Sequence, residues 1–197
     1  RGKTDAGPHG DFIFEFDQVV GELLDTLDRL GITDNTLVMV SSDNGPEVTS
    51  VVHMRQDHQH NGARPWRGMK RDQWEGGHRI PFITRWPQKI AANTRTDQTV
   101  CLCDIMATCA DAAGVKLPES AGEDSVNLMP TLKGKTTNTP LHQAVICHSA
   151  SGVFVVRKGK WKLQFSAGSG GWSNPKDRAA QKQGLPKWQL YDLSADP

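Results

Sequence analysis

The chain has 197 residues, 37% of them apolar, with 23 basic against 22 acidic residues. That length suits one compact domain or one domain with a small appendage, and the apolar share is too high for a disordered chain. A net charge of +1 gives no electrostatic basis for a nucleic-acid partner or an anionic membrane, and no apolar run approaches the ~20 residues that span a bilayer.

The first residues, RGKTDAGPHGDF, contain neither a Met nor an apolar leader, and the last, LYDLSADP, stop at a proline. We expect a portion of a longer protein, for which the absent leader says nothing about location. Asp11 to Leu30 reads as a helix. Ile13, Phe16, Val20, Leu23, Leu27 and Leu30 recur at helical spacing on one face, and Gly31 is a suitable stop. After the turn TDNT, Thr36 to Val40 is a continuous apolar strand, expected to be covered on both faces in an α/β layer.

Gly45 to Gly77 is polar, contains three histidines before Asn61 and shows no period, so it reads as a long functional loop. Arg79 to Pro87 is a short buried strand closed by proline. Asp97 to Ala113 is a second helix, with Val100, Ile105, Met106, Cys109 and Ala113 on its apolar side. Asn127 to Gly134 is a helical turn. Past about residue 135 come four strand-like runs, QAVICHSA, GVFVVRKG, KWKLQF and WQLYDL, which suggest an antiparallel meander. A Gly/Ser/Pro-rich loop lies between Phe165 and Pro186. The reading therefore divides the chain into residues 1–134, an α/β part, and 135–197, a small four-stranded antiparallel subdomain.

Cys101, Cys103, Cys109 and Cys147 form no C-x-x-C pair, so zinc-ribbon and thioredoxin readings are weak. The first three are expected as small buried hydrophobes, with a disulfide to Cys147 left open. His53, His58 and His60 match no structural zinc spacing and are better read as loop histidines bordering a pocket. Trp66, Trp74 and Trp172 read as loop anchors, with sugar stacking as the functional alternative.

Two stretches carry chemistry. In SSDNGPE, Asp43 and Asn44 sit just past the carboxyl end of a strand, where α/β sheets hold ligands. Their oxygens are hard donors suited to Ca²⁺ or Mg²⁺, and Gly45-Pro46 supplies the turn that would let both reach one ion. Read alone, the same residues make an ordinary turn. In WRGMKRDQWEGGHRIPF, Lys70 lies in a tight loop, suited as a point-charge ligand for a tetrahedral oxyanion. Glu75 can pair with a cation, and Gly76-Gly77 permits close backbone approach.

SSDNGPE followed by GMKRDQWEGGHRIPFITRWP resembles the sulfatase family of the alkaline-phosphatase-like superfamily. The upstream helix and strand and the downstream GKWKL and LYDLSADP fit the same family, so the resemblance covers essentially the whole chain. It implies part of an alkaline-phosphatase-like α/β/α domain followed by a small antiparallel sheet subdomain. It makes Asp43 and Asn44 ligands of one divalent cation, usually Ca²⁺. It makes Lys70 a catalytic donor to the sulfate oxygens. His78, directly after Glu-Gly-Gly in a loop expected to border the pocket, is a candidate substrate contact by its position.

In such enzymes a formylglycine, made from the Cys or Ser of a C/S-x-P-S-R motif, attacks sulfur. No such motif occurs here, and the family's N-terminal acidic pair and upstream histidine are absent; His9, in AGPHGDF, lies in the wrong context. The resemblance thus implies a C-terminal fragment of a calcium- and formylglycine-dependent sulfuric ester hydrolase, inactive by itself. Its partner would be a sulfate ester, with a sulfated carbohydrate as one option, and its setting periplasmic, secreted or lysosomal. Two alternatives remain: a phosphodiesterase or phosphonate hydrolase of the same superfamily, and a non-catalytic binding homologue.

Overall fold

A computed structural model describes residues 2–135 and 139–196. The expected boundary near residue 135 adjoins 136–138, which lie outside the described residues. Helix α1 (Gly7–Arg29) starts earlier than the apolar stripe suggested, because Pro8 occupies its first turn, where a missing N–H costs nothing. It stops at Leu30, with Gly31 at φ +67°. Its stripe is not covered: Ile13, Phe16, Leu23 and Leu30 are exposed. Among the described residues, α1 is flanked by the helix at Val48–His58 and a 3-10 turn at Thr33–Asn35, too little to bury a helix face.

Strand β1 (Val38–Ser41) pairs antiparallel with β2 (Phe82–Arg85), Val38 opposite Arg85 and Ser41 opposite Phe82. The expectation of strands buried on both faces is corrected here. β1 is only half-buried and Ile83 of β2 is exposed, because these two strands form a sheet by themselves. The long polar loop is also corrected. It contains helix α2 (Val48–His58), with Glu47 as N-cap, and helix α3 (Glu75–His78). Only Val51 and Met54 of α2 are buried, so no apolar stripe announces it.

Helix α4 (Asp104–Ala112) begins seven residues later than expected. The cause is Asp104. Its fully buried carboxylate accepts from the backbone of Cys101 (2.7 Å) and Val126 (2.9 Å) and from His142 Nε2 (2.8 Å), which fixes the chain as a turn before the helix. The expected apolar side is also wrong: Asp104 and Thr108 are buried, whereas Met106 and Cys109 are exposed. Thr108 Oγ1 donates to the Asp104 carbonyl and accepts from Leu128 N, so this face is satisfied by hydrogen bonds. Helix α5 (Met129–Leu132) follows. Met129 packs with Trp86 and Ile90, while Val51, Ala63 and Met69 form a second apolar cluster.

Strands β3 (Val145–His148), β4 (Phe154–Lys158), β5 (Trp161–Gln164) and β6 (Gln189–Asp192) form an antiparallel sheet in that order. Helix α6 (Asp177–Lys182) lies in what read as an irregular loop. The sheet is inverted relative to the usual alternation. Ile146, Val156, Leu163 and Leu190 line up across it, and Ile146 and Leu190 are exposed. The buried face carries Lys162 and Gln164 beside Val155. The four cysteines are free, with Cys103 and Cys109 exposed, so the expectation of buried thiols does not hold. Partial desolvation of its sulfur, with the neighbouring Cys101 and Asp104, pushes the Cys103 thiol up to about 12 although the residue as a whole is exposed. Among the described residues no helix is long and apolar enough to cross a membrane.

Candidate active site

Asp43 and Asn44 leave β1, and Gly45-Pro46 turns the chain toward α2. Ser42 Oγ donates to the Asn44 carbonyl at 2.9 Å, and Asn44 Nδ2 donates to the Gly45 carbonyl at 2.9 Å. The second bond commits the amide nitrogen and leaves the amide oxygen without a bond to the turn. Asp43 is exposed, and its carboxylate accepts no hydrogen bond among the described residues.

Lys70 occupies a turn closed by Asp72 N donating to the Met69 carbonyl at 3.0 Å. Arg71, the next residue, has φ +79°, a left-handed conformation that such turns usually give to Gly. Holding an arginine there stores backbone strain. Three contacts on Arg71 hold it. Its carbonyl accepts from Ala150 N at 3.2 Å. Its NH1 donates to both Glu47 oxygens at 2.7 and 2.9 Å. Its guanidinium lies 4.0 Å from the centre of the Trp172 ring.

The two motifs interlock through backbone. Lys70 N donates to Pro46 O at 2.9 Å, Gly45 N to Gly77 O at 3.0 Å and Gly76 N to Arg67 O at 2.7 Å. A Cβ on Gly45 would run into the Gly76 carbonyl, one on Gly76 into the Gly68 carbonyl, and one on Gly77 into the Asp72 carbonyl. The glycines of DNG and EGG are therefore a steric requirement of one turn stacked on another.

Three carboxylates organise this turn pair. Glu47 caps α2 by accepting from Val48 N, and lies 3.9 Å from Lys70 Nζ. Its hydrogen bond from Arg71 holds its carboxyl below the usual range, against a smaller opposing effect of burial. Asp72 is 0% exposed. It accepts from Met69 N at 2.9 Å on one oxygen, and from Trp172 N (2.9 Å) and Ser173 N (3.1 Å) on the other. Glu75 is 5% exposed and meets Lys162 Nζ at 2.7 Å, with Arg79 and Arg157 at 3.6 and 3.8 Å. Burial alone would raise the Glu75 carboxyl, but these cations, Lys162 foremost, bring it below its ordinary value. Burial pulls Lys162 downward against the attraction of Glu75. Beside the pair, Arg67, Trp74, Gln164 and Tyr191 help enclose a cavity of about 70 Å³.

His78 lies behind the turn. Its Nε2 donates to the His148 carbonyl at 3.4 Å, and burial, reinforced by Lys162, lowers its pKa to about 4. His53 and His58 are on α2, with His58 packed over Gly7, and His60 follows the helix. Among the described residues no three His, Cys, Asp or Glu side chains gather as a metal site. Asp43 and Asn44 thus fit a hard cation as two oxygen donors, fewer than the six to eight that Ca²⁺ takes. The sequence singles out Asp43, Asn44, Lys70, Glu75 and His78. It did not assign roles to Glu47, Asp72 or Lys162. Glu47 and Asp72 stand inside the two motifs, whereas Lys162 gave no signal beyond its place in KWKL.

The sulfatase family model matches residues 5–115, and a model of the N-sulphoglucosamine sulphohydrolase C-terminal region matches 66–166. An N-acetylgalactosamine-6-O-sulfatase of Bacteroides thetaiotaomicron is 34% identical over all of this chain, which spans 38% of that protein. A solved 6S-sulfatase structure from glycosaminoglycan metabolism in Bacteroides thetaiotaomicron superposes with a TM-score of 0.80 and 33% identity, over 100% of this chain and 40% of that one. A structure bound to its substrate D-glucosamine-2-N,6-O-disulfate matches with a TM-score of 0.67 and 25% identity, over 94% of this chain and 33% of that one. The chain therefore spans about two fifths or less of these relatives. The interlocked DNG and G-x-K turns, and a family match over more than half of the sequence, lead to one conclusion: the chain belongs to the sulfatase family.

Proposed function

We propose that this chain is one wall of the active site of a sulfuric ester hydrolase, acting within a longer protein on a sulfated carbohydrate. The observation that carries the reading is the backbone bond from Lys70 to Pro46 at 2.9 Å. It sets a cationic side chain beside a turn that ends in two hard oxygen donors. Lys70 would donate to the sulfate oxygens and offset charge as it grows on them, from a position fixed before substrate arrives. Asp43 and Asn44 would hold one divalent cation, calcium, with the other ligands and the formylglycine supplied by sequence outside this chain. When bound, the cation would supply a Lewis acid that draws charge from the sulfuryl oxygens.

For His78, read from its position as a candidate substrate contact, the geometry favours a supporting part. Neutral near pH 7 and bonded to His148 O, it would hold the catalytic turn against the C-terminal sheet. The isolated chain would be inactive, and the whole protein periplasmic, secreted or lysosomal.

The test is sulfate release by the full-length protein. The panel is N-acetylgalactosamine 6-sulfate, glucosamine 2-N,6-O-disulfate and 4-nitrocatechol sulfate, each with EDTA, without it, and after Ca²⁺ is restored. Release that EDTA abolishes and Ca²⁺ restores is expected, with none from the 197 residues alone. A protein that cleaves phosphate diesters and no sulfate ester would overturn the reading.

A further inference from the structure

The three tryptophans near the Lys70 turn are held differently. Trp74 is 3% exposed and donates Nε1 to Gln189 at 3.1 Å, an anchoring role. Trp66 is half-buried, with the Arg79 guanidinium 4.0 Å from its ring centre. Trp172 is 53% exposed, and among the described residues its indole N–H makes no hydrogen bond.

Its backbone, by contrast, is fixed. Trp172 N and the following Ser173 N both donate to the buried Asp72. Gly171 lies so close to the Lys70 turn that a Cβ there would strike the Arg71 carbonyl, and one on Gly170 would strike Gln73. Two further backbone N–H groups of the loop, from Gly168 and Gly170, donate to Asp177 at 3.1 Å. One face of the indole is occupied by Arg71, which Glu47 clamps through two bonds. A loop tied down at so many points presents a large aromatic ring that it does not bury.

We propose that Trp172, backed by Arg71, is a carbohydrate-stacking subsite beside Lys70 that takes a pyranose ring of a sulfated sugar. This rests on the sulfatase reading above and specifies its substrate side. The open face of an indole carries negative quadrupole charge, which attracts the weakly positive C–H face of a pyranose. The free N–H at the ring edge can donate to a hydroxyl or sulfate oxygen. Because Asp72 fixes both Met69 N and Trp172 N, the ring and the Lys70 turn share one buried anchor. Little ordering cost then remains when a sugar binds, which is how preorganisation raises affinity. A flat aryl sulfate without a second ring would use Lys70 but gain less from the platform.

The experiment compares wild type, Trp172→Ala and Trp172→Phe in the full-length protein. The readout is kcat/KM for a sulfated N-acetylgalactosamine oligosaccharide divided by kcat/KM for 4-nitrocatechol sulfate. The ratio is expected to fall at least tenfold in Trp172→Ala, chiefly through KM, and less than about threefold in Trp172→Phe, which keeps an aromatic face. An unchanged ratio in Trp172→Ala overturns the subsite. So does an equal loss in both variants, which would show a packing defect. A wild-type protein that releases sulfate only from the aryl ester also overturns it. One that releases none from any ester overturns the sulfatase reading itself.

Discussion

The backbone N–H of Lys70 lies 2.9 Å from the carbonyl oxygen of Pro46. Lys70 and the turn that follows Asp43 and Asn44 thus share one rigid frame. If Lys70 meets sulfate from that frame, Lys70→Ala removes a charge partner from a desolvated anion. Such losses cost about 2–5 kcal/mol, so kcat/KM of the full-length enzyme should fall at least tenfold. Lys70→Arg should recover only part of it, since a planar fork does not replace a point charge. A Lys70→Ala enzyme with wild-type kinetics would remove Lys70 from the site.

The frame itself makes a second prediction. Gly45→Ala places a methyl against the Gly76 carbonyl, a backbone atom that cannot swing aside. Overpacking of this kind costs about 1–3 kcal/mol and occasionally more, and here it should also displace the turn bearing Asp43 and Asn44. Gly21→Ala is the comparison. Gly21 lies inside α1 with open space where its Cβ would go, so alanine should stabilise by roughly 0.5–1 kcal/mol. Thermal unfolding of the two variants should therefore shift in opposite directions. A Gly45→Ala protein as stable and active as wild type would contradict the interlocked geometry.

Asp43, Asn44 and Lys70 were legible because their neighbours spell out turns: DNGP and G-x-K with EGG are readable as backbone chemistry. Their supports were less legible. Glu47 and Asp72 gained no role from the sequence, since burial cannot be read from a short polar run. Lys162 stands 87 positions from Glu75, and the usual alternation would aim an apolar face inward. The sheet does the reverse and buries Lys162 and Gln164 against the site. The α4 start was misplaced because a helix limit set by the tertiary contacts of Asp104 leaves no local pattern. Helix α2 was missed because VTSVVHMRQDH is rich in β-branched residues and buries only Val51 and Met54.

The Glu75–Lys162 pair predicts an asymmetry. Removing one member of a buried pair typically costs about 3–5 kcal/mol, because the other is left uncompensated. Here the two deletions differ. Lys162→Met leaves Glu75 with Arg79 at 3.6 Å and Arg157 at 3.8 Å, whereas Glu75→Gln leaves Lys162 buried with no other carboxylate paired to it among the described residues. Glu75→Gln should be the more destabilising in denaturant unfolding, and adding Lys162→Met to it should recover stability. Equal single losses that simply add would show that the two charges are not coupled.

Stability should also fall in mild acid, and His78 supplies the sign. Its folded pKa is lowered to about 4 from an ordinary 6.5, so the folded state binds fewer protons than the unfolded state between those values. Stability then rises with pH across that window. The His78 contribution is complete above about pH 6.5 and is lost as pH falls toward 4, by roughly 3 kcal/mol at most for a shift of this size. Glu75 acts in the same direction, since its lowered carboxyl pKa yields stability that disappears once it protonates. Chemical unfolding of the full-length protein from pH 7.5 to 4.5 should show this slope. His78→Gln keeps a polar side chain but cannot titrate, so it should flatten the slope above pH 5 and leave the more acidic Glu75 part. An unaltered pH profile in His78→Gln would show that His78 does not titrate with folding.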